Sequence, residues 1–355
     1  MLNSTNNTIF YFFIVLFIGI LLNFLLIKNY KVLNLSIFLD ADFKKPQAFH
    51  EEKILRVGGI SFYIIFSIII FFLSSKIFYD LFFLASACFF VGLIDDIKFS
   101  NSPKLRLILL FFLINFSIII FNIETPQFQI FYIDIMLSES KWLRFFLLSI
   151  CFLITINGSN FIDGYNGLLL GHFSIILIIL NFINYYYFNS ELLFLGVSFL
   201  AISLSLLFFN FPKARLFLGD SGSYLIGATL SYLLIKTSAS TKLFIPPFFF
   251  GCLIYYISFE VIFSFFRKVM IEKQNPFYPD SNHLHMLVFK YFKKKNILIK
   301  ANYKTGLSTN LIYLISLFPL IFFYQNLFFL RIYFFSLLLF YLVLYSGMRY
   351  MFLKK

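Results

Sequence analysis

Long apolar runs, separated by short polar segments, make up most of this chain. The hydrocarbon core of a bilayer is about 30 Å thick, so a helix that crosses it needs about 20 apolar residues. About eleven runs in the 355 residues approach this length, and 61% of all residues are hydrophobic. An ordinary soluble domain does not have this composition. The sequence therefore predicts an all-α polytopic integral membrane protein.

The predicted spans share an apolar interior, and most of them end near polar or basic residues. They lie near 8–27, 58–75, 79–94, 105–122, 142–157, 168–188, 191–209, 223–236, 245–265, 308–326 and 328–347. The first run is followed by Lys28 and Lys31 and has no basic residue before it, the reverse of a signal peptide, so we expect a retained helix. No internal repeat is visible, and residues 1–355 are expected to form one transmembrane domain.

The positions of the basic residues predict the orientation in the membrane. If the predicted spans alternate in direction, 23 of the 29 Lys and Arg fall on one face, mostly in the segments 28–57 and 266–306. Loops rich in Lys and Arg remain in the cytoplasm. We therefore expect this face to be cytoplasmic and the N-terminus to lie outside.

The net charge of +13 does not indicate nucleic acid, because the basic residues are scattered around helix ends and no nucleic-acid-binding module accompanies them. Anionic lipids or a phosphorylated substrate explain the charge better. Cys88, Cys151 and Cys252 lie in apolar runs without paired spacing, which is typical of packing residues rather than of a metal site or a disulfide.

Five polar clusters lie on the face that carries most of the positive charge. They are VGGI at 57–60, LIDDIK at 93–98, NGSNFIDGYNGL at 157–168, FLGDSGS at 217–223 and PDSNHLHM at 279–286. Carboxylates, amides and imidazoles from five segments would then meet at one membrane face. The pattern predicts an active site built from cytoplasmic loops, where a soluble anionic substrate could enter.

Each cluster also has a simpler interpretation. Asp95 and Asp96 could be a solvated helix end, and Asp220 could cap the start of a helix. Asp220 is, however, flanked by Gly219 and Gly222, which would let the backbone approach a ligand closely. The segment with Asn157, Asn160 and Asp163 could be an Asn/Gly-rich loop. His283 and His285 could lie in a solvated loop, or act as two donors along an extended segment.

Taken in order, these motifs resemble the polyprenyl-phosphate N-acetylhexosamine-1-phosphate transferases, in particular the bacterial branch that acts on undecaprenyl phosphate with N-acetylglucosamine. The resemblance runs from about residue 40 to 300. The matching residues are His50, Gly58, Gly59, Asp95, Asp96, Lys104, Arg106, Asn157, Asn160, Asp163, Gly164, Asn210, the Leu-Gly-Asp-Ser-Gly-Ser block at 218–223, and the loop with Pro276, Phe277, Pro279, Asp280, His283, Leu284 and His285.

The resemblance implies transfer of a sugar 1-phosphate from a UDP-sugar to polyprenyl phosphate, with release of UMP. It implies Mg²⁺, or Mn²⁺ as a substitute, because two anions must be brought together. It assigns Asp220 as the metal ligand and Asp95 and Asp96 as catalytic residues. The substrate-binding residues that it implies are Asn157, Asn160, Asp163, Asn210, His283, His285 and Lys104. Such an enzyme would lie in the bacterial inner membrane, as a monomer or a homodimer.

Two departures from the family pattern affect specificity. Ser281 stands where many relatives have Arg, and Met286 stands where a further histidine is common. The sequence HLHM therefore argues against the branch that makes the peptidoglycan lipid precursor. The alternative to an enzyme is a transporter or flippase, for which Glu260, an acid inside an apolar run, is the main sequence argument.

Overall fold

The computed structural model describes residues 2–40, 53–72, 75–97, 102–241, 245–278 and 280–353, with side chains described from residue 8 to 352. The helices follow one another through almost all of these ranges. They are α1 Leu2–Asn29, α2 Gly58–Phe72, α3 Lys76–Asp96, α4 Pro103–Phe121, α5 Phe131–Glu139, α6 Lys141–Ile162, α7 Leu168–Tyr186, α8 Ser190–Asn210, α9 Gly219–Ser240, α10 Pro247–Leu253, α11 Tyr255–Phe266, α12 Leu284–Lys293, α13 Leu298–Leu317, α14 Leu320–Phe323 and α15 Leu327–Leu353.

The all-α polytopic fold predicted from the sequence is confirmed. Within the described residues, eight helices are long and apolar enough to cross a membrane, and the bent pair α10 and α11 makes a ninth candidate. The other two predicted runs form α2, which has only 15 residues, and α9, which is not apolar enough to count. Each predicted run thus coincides with a helix, but eleven membrane crossings are not confirmed.

Helix α9 lies at the centre of the bundle and packs against α2, α3 and α6. Nearly all of its residues are buried, and many of them are Gly, Ala, Ser or Thr. Small side chains let helices in a membrane approach each other closely. At Gly227, a Cβ atom would lie only 2.5 Å from the Cα of Ile156 in α6. This packing explains how a helix of modest hydropathy can occupy the interior of a membrane protein.

The two largest polar segments are more structured than the sequence indicated. Leu39–Asp40 forms strand β1, which pairs antiparallel with strand β2, Ile54–Leu55. The segment 266–306 contains α12 and the first part of α13, which begins ten residues before the predicted span. The amphipathic α12 packs against α13 and α15. Its apolar residues therefore find partners inside the protein rather than in lipid.

The two glycines that open α2 hold the segment before α9 in place. The amides of Gly58 and Gly59 donate to the carbonyls of Phe217 and Leu218, both at 2.9 Å. A Cβ atom on Gly59 would lie 2.3 Å from the Gly222 amide nitrogen. Only glycine permits this approach of two backbones. The VGGI cluster is thus a support for the FLGDSGS turn.

A bend of 74° separates α10 from α11. It falls at Ile254, whose dihedral angles of φ −105° and ψ 11° are not helical. Helix α10 packs against α15, whereas α11 packs against α6. The bend therefore directs α11, with Glu260, toward the C-terminal end of α6.

Candidate active site

The predicted site residues meet at one end of the bundle, where α3 and α6 end and where α4, α9 and α12 begin. Most of them lie on helix termini rather than in the loops that the sequence predicted. Asp95 and Asp96 belong to the last turn of α3, and Asp220 belongs to the first turn of α9. The site is therefore built largely from helix ends.

Asp96 binds the start of α9 from a neighbouring helix. Its Oδ1 accepts from the Asp220 amide at 2.9 Å, and its Oδ2 accepts from the Ser221 amide at 2.9 Å and the Ser221 hydroxyl at 2.6 Å. A carboxylate is favoured at the positive end of a helix dipole. Asp96 is only 3% exposed, so little of it can reach a substrate. Of the two predicted catalytic acids, Asp96 has a structural position.

Asp220 is not the helix cap that the simpler interpretation suggested, since the Asp96 carboxylate satisfies the first amides of α9. The chain enters α9 through Gly219, whose φ of +77° favours glycine. A Cβ atom on Gly92 of α3 would lie 2.5 Å from the Asp220 carbonyl oxygen. The backbone of this turn is thus in close contact with α3, and the Asp220 side chain faces the site rather than the amides of its own helix.

Arg106 connects the two remaining carboxylates. Its Nη1 donates to Asp95 Oδ2 at 2.5 Å and lies 3.5 Å from Asp220 Oδ2. The side chains of Asp95 and Asp220 are 10% and 32% exposed. Arg106 Nε is buried and has no hydrogen-bond partner among the described residues. The guanidinium therefore has a free donor beside two carboxylates.

Asn160 bonds Asp220 from α6. Its Nδ2 lies 3.1 Å from Asp220 Oδ1 and 3.0 Å from Ser223 Oγ, so the amide fixes the carboxylate relative to α6. Asn157 lies one turn earlier, and its Nδ2 donates to the Leu153 carbonyl of its own helix at 2.7 Å. Asn160 is thus part of the acidic cluster, while the role of Asn157 stays a prediction.

Asp163 follows the last turn of α6 as its C-terminal cap residue. Burial raises the pKa of its carboxyl well above the usual value, Asp220 and Asp96 add to this shift, and Arg56 opposes it. Arg56 also forms an ion pair with Asp40 at 2.6 Å. Asp163 therefore shares the electrostatic environment of the cluster, and a bound cation would favour its ionised form.

Asn210, the last residue of α8, has a structural position because it bonds the turn that precedes α7. Its Oδ1 accepts from the Gly167 amide at 2.6 Å, and its Nδ2 donates to the Leu216 carbonyl at 2.9 Å. The Asn166 amide in the same turn donates to Asn302 Oδ1 at 2.7 Å. The predicted substrate contact of Asn210 stays a prediction, since both ends of its amide bind backbone.

The two histidines lie on either side of the first residue of α12, and Glu260 of α11 lies beside both. His283 Nδ1 donates to Glu260 Oε2 at 2.9 Å, and His285 Nδ1 lies 3.4 Å from Glu260 Oε1. His283 is 6% exposed and His285 is fully buried. Burial lowers the pKa of His285, and Glu260 opposes that shift. The segment is therefore not the extended pair of donors that the spacing suggested.

Further ion pairs surround the histidine loop. Asp280 Oδ1 lies 3.3 Å from His283 Nε2, and Arg267 Nη2 donates to Asp280 Oδ2 at 2.5 Å. Lys290 Nζ donates to the Ser281 carbonyl at 2.8 Å and lies 3.3 Å from its hydroxyl. The ammonium group of Lys290, in α12, thus lies next to Ser281, the position where many relatives have Arg.

Lys104 is exposed at the start of α4, and its Nζ lies 5.6 Å from the centre of the Phe277 ring. It points to the histidine loop, whereas Arg106 reaches the carboxylates. Two predicted motif residues, His50 and Pro279, lie outside the described residues.

Within the described ranges, no group of three or more His, Cys, Asp or Glu is arranged to hold a metal ion. Mg²⁺ does not need such a group, because it usually keeps several waters and is held by one or two carboxylates together with substrate phosphates. Asp220 fits this pattern, because its side chain is partly exposed and does not cap a helix. Asp96, with both oxygens bound to α9, does not.

The residues at the site that were not among the predicted site residues include Arg106, Arg56, Glu260 and Lys290. For Arg106 a signal was present. Residues two apart on a helix do not face the same way, so only one of Lys104 and Arg106 can point to α3. Glu260 was visible as an acid in an apolar run, but its histidine partners are 23 and 25 positions away. Only the bend before α11 and the start of α12 bring them together.

Residues 78–238 match the family described as glycosyl transferase family 4. The matched segment contains all the predicted site residues except the two histidines, and the resemblance found in the motifs is thereby confirmed.

Relatives of known description match the chain as well. The chain is 35% identical to the undecaprenyl-phosphate alpha-N-acetylglucosaminyl 1-phosphate transferase of Thermotoga maritima, over 49% of this chain and 53% of that protein. It is 26% identical to the protein of the same description from Salmonella typhimurium, over 68% and 66%. It is 33% identical to the phospho-N-acetylmuramoyl-pentapeptide-transferase of Prochlorococcus marinus, over 46% and 48%. The chain thus spans about half the length of the first and third of these relatives.

Proposed function

We propose that this protein transfers a sugar 1-phosphate, in particular an N-acetylhexosamine 1-phosphate, from a UDP-sugar to polyprenyl phosphate in a bacterial membrane. An oxygen of the lipid phosphate forms a bond to the phosphorus that carries the sugar. The bond from that phosphorus to the bridging oxygen breaks, and UMP leaves with that oxygen. Relatives described as undecaprenyl-phosphate sugar-1-phosphate transferases support this chemistry.

The arrangement around Arg106 is the observation that carries the proposal. It joins Asp95, at the end of α3, to Asp220, at the start of α9, and Asn160 fixes Asp220 from the other side. Three elements thus converge on one half-exposed carboxylate. Because a phosphate monoester is largely dianionic near neutral pH, the protein's main task is to position two anions rather than to remove a proton.

Asp95, Arg106 and Asp96 have different surroundings, and we assign each a different role in this positioning. We assign Asp95 to orient the attacking lipid phosphate, since it lies in the last turn of α3, a candidate membrane span. Arg106 Nε, buried and without a partner among the described residues, is placed to donate to a phosphate oxygen. Asp96 holds the first turn of α9 so that Asp220 keeps its direction.

We include Mg²⁺ in the proposal, with Asp220 as its protein ligand. The ion, when bound, would neutralise and polarise the diphosphate of the UDP-sugar. Asn160 holds Asp220 Oδ1 and leaves its Oδ2 with only the distant contact to Arg106. That oxygen is therefore the one best placed to bind a cation.

The transporter alternative has one structural observation in its favour. The bent pair α10 and α11 resembles the broken helices that form binding sites in transporters. Glu260, however, is 1% exposed and bonded through both oxygens, and the remaining acids lie at helix ends. We therefore favour the enzyme.

The proposal puts the active site on the cytoplasmic face, with the N-terminus outside, because Arg56 and the histidine loop, which belong to the two cation-rich segments, lie at the site. The relatives include transferases of both the N-acetylglucosaminyl and the N-acetylmuramoyl-pentapeptide kind, and the sequence HLHM favours the former.

The test is a reconstituted assay. Purified protein is incubated with undecaprenyl phosphate, Mg²⁺ and each of a panel of UDP-sugars, and UMP release and lipid-linked product are measured together. Release of UMP that depends on the lipid supports the enzyme. Passage of a substrate across sealed vesicles without UMP release would instead support the transporter.

A further inference from the structure

Among the described acids outside the carboxylate cluster, Glu260 is the most deeply buried, and the proposed reaction gives it no role. It lies in α11, in the apolar sequence YYISFEVIFSFF, and is 1% exposed. A carboxylate in such a place is costly unless it is paired and hydrogen-bonded. Its partners therefore indicate what it does.

Both of its oxygens bond groups at the beginning of α12, and the hydroxyls of Tyr256 in α11 and Tyr341 in α15 also interact with it. Besides its contacts with the two histidine rings, Glu260 Oε1 accepts from the Leu284 amide at 3.1 Å. His283 is the residue that precedes the helix, and its own side chain does not cap α12. Glu260 thus caps the Leu284 amide from another helix. It also contacts the histidine on each side of Leu284.

The histidine rings are fixed by this anchor and by aromatic neighbours. They are nearly parallel, at 10° with centres 5.4 Å apart. The Tyr256 hydroxyl lies 3.4 Å from His285 Nδ1, and the Phe161 ring lies 5.1 Å from that of His283. Phe161 follows Asn160 on α6. The anchor therefore sets the histidines against the same helix end that holds Asp220.

We propose that Glu260 is a positioning residue: it orients His283 and His285 and fixes the start of α12, and it does so without touching either substrate. The inference rests on the proposed transferase function, in which the histidines serve the diphosphate. It separates Glu260 from a proton relay, because a relay needs an acid that exchanges protons with water along a path, whereas both oxygens of Glu260 bind protein groups.

The experiment compares Glu260→Ala and Glu260→Gln with the matched control Glu191→Gln. Glu191 also bonds a neighbouring helix segment, through Ser75 Oγ at 2.6 Å, but in a different part of the fold. The glutamine at position 260 keeps an oxygen for the Leu284 amide and loses the charge. If Glu260→Ala does not fold, Glu260→Gln carries the test.

We expect hydrogen exchange at the start of α12 to rise in Glu260→Ala, to rise less in Glu260→Gln, and to stay unchanged in Glu191→Gln. The kcat/KM for the UDP-sugar should fall by about 10- to 100-fold in Glu260→Ala, as is typical when a group that orients an active residue is lost. The KM for the lipid should stay as in the wild type. In a His283→Ala/His285→Ala background, adding Glu260→Ala should change kcat/KM little, because its effect passes through the histidines.

The two proposals fail in different ways. A wild-type protein that releases no UMP with any UDP-sugar overturns the transferase function, while the exchange data still report on the anchor. Unchanged exchange at α12 in both Glu260 variants overturns the anchor. Altered exchange with a fully active Glu260→Ala, or full additivity with the histidine variants, overturns the positioning role.

Discussion

Replacing Asp96 with asparagine should destabilise the protein as well as inactivate it. The carboxylate accepts three hydrogen bonds at the start of α9, at 2.9, 2.9 and 2.6 Å. Asparagine can place its single oxygen toward Ser221, but its NH₂ group then faces the Asp220 amide. One buried amide is left without an acceptor, and the start of α9 loses its negative partner.

The magnitude follows from these two losses. An unsatisfied buried amide costs about 1–3 kcal/mol. Loss of a charge at a helix N-terminus adds about 0.3–1 kcal/mol. We therefore expect the free energy of unfolding to fall by about 1–4 kcal/mol in Asp96→Asn. The displaced first turn of α9 carries Asp220, so UMP release should fall with it.

Asp95→Asn is the paired control, because Asp95 bonds Arg106 rather than the start of a helix. It should lower kcat about a hundredfold with little change in thermal stability, since its proposed task is to align the attacking phosphate. Thermal unfolding in detergent and steady-state UMP release are measured for both variants. Equal stability of the two variants, or loss of stability in Asp95→Asn alone, would refute the separation of structural and chemical roles.

Three further predictions concern the metal, the packing and the orientation. Asp220→Asn should lower activity at least about a hundredfold and raise the Mg²⁺ concentration needed, and full turnover at low Mg²⁺ would exclude Asp220 as the ligand. Gly59→Ala should reduce stability and activity, because the new Cβ atom would lie 2.3 Å from the Gly222 nitrogen, whereas Gly347→Ala, with nothing within 4 Å, should be silent in both assays. A thiol introduced by Ser281→Cys should resist membrane-impermeant reagents in intact cells, and ready labelling would reverse the proposed orientation.

The sequence predicts the helices well because the length of an apolar run follows directly from membrane thickness. It also predicts that the polar clusters share one face, because alternating spans place every second connection on the same side. The sequence does not predict toward which neighbour each side chain points around its helix. Asp95 and Asp96 differ by about 100° on α3, and only the packed position of α9 decides which one caps it and which one meets Arg106.

Other features depend on contacts between distant segments. The early start of α13 is not visible in hydropathy, since its first turns contain Lys300, Asn302 and Lys304 and pack against protein rather than lipid. The anchor at Glu260 needs the bend at Ile254, for which the apolar sequence carries no clear signal. Such features become predictable only when the neighbours of each helix are known.

The polarity of α9 has a consequence for how the protein is made. The helix lacks the apolar character to enter the bilayer on its own, and it is hidden on nearly all sides by other helices. Its main partners, α3 and α6, precede it in the chain, so they are synthesised first and can already be in the membrane when α9 leaves the ribosome. Insertion of α9 is thus a folding step, in which the earlier helices provide the surroundings that the bilayer provides for an apolar helix. The Asp96 carboxylate, which binds the first amides of α9, belongs to one of these earlier helices.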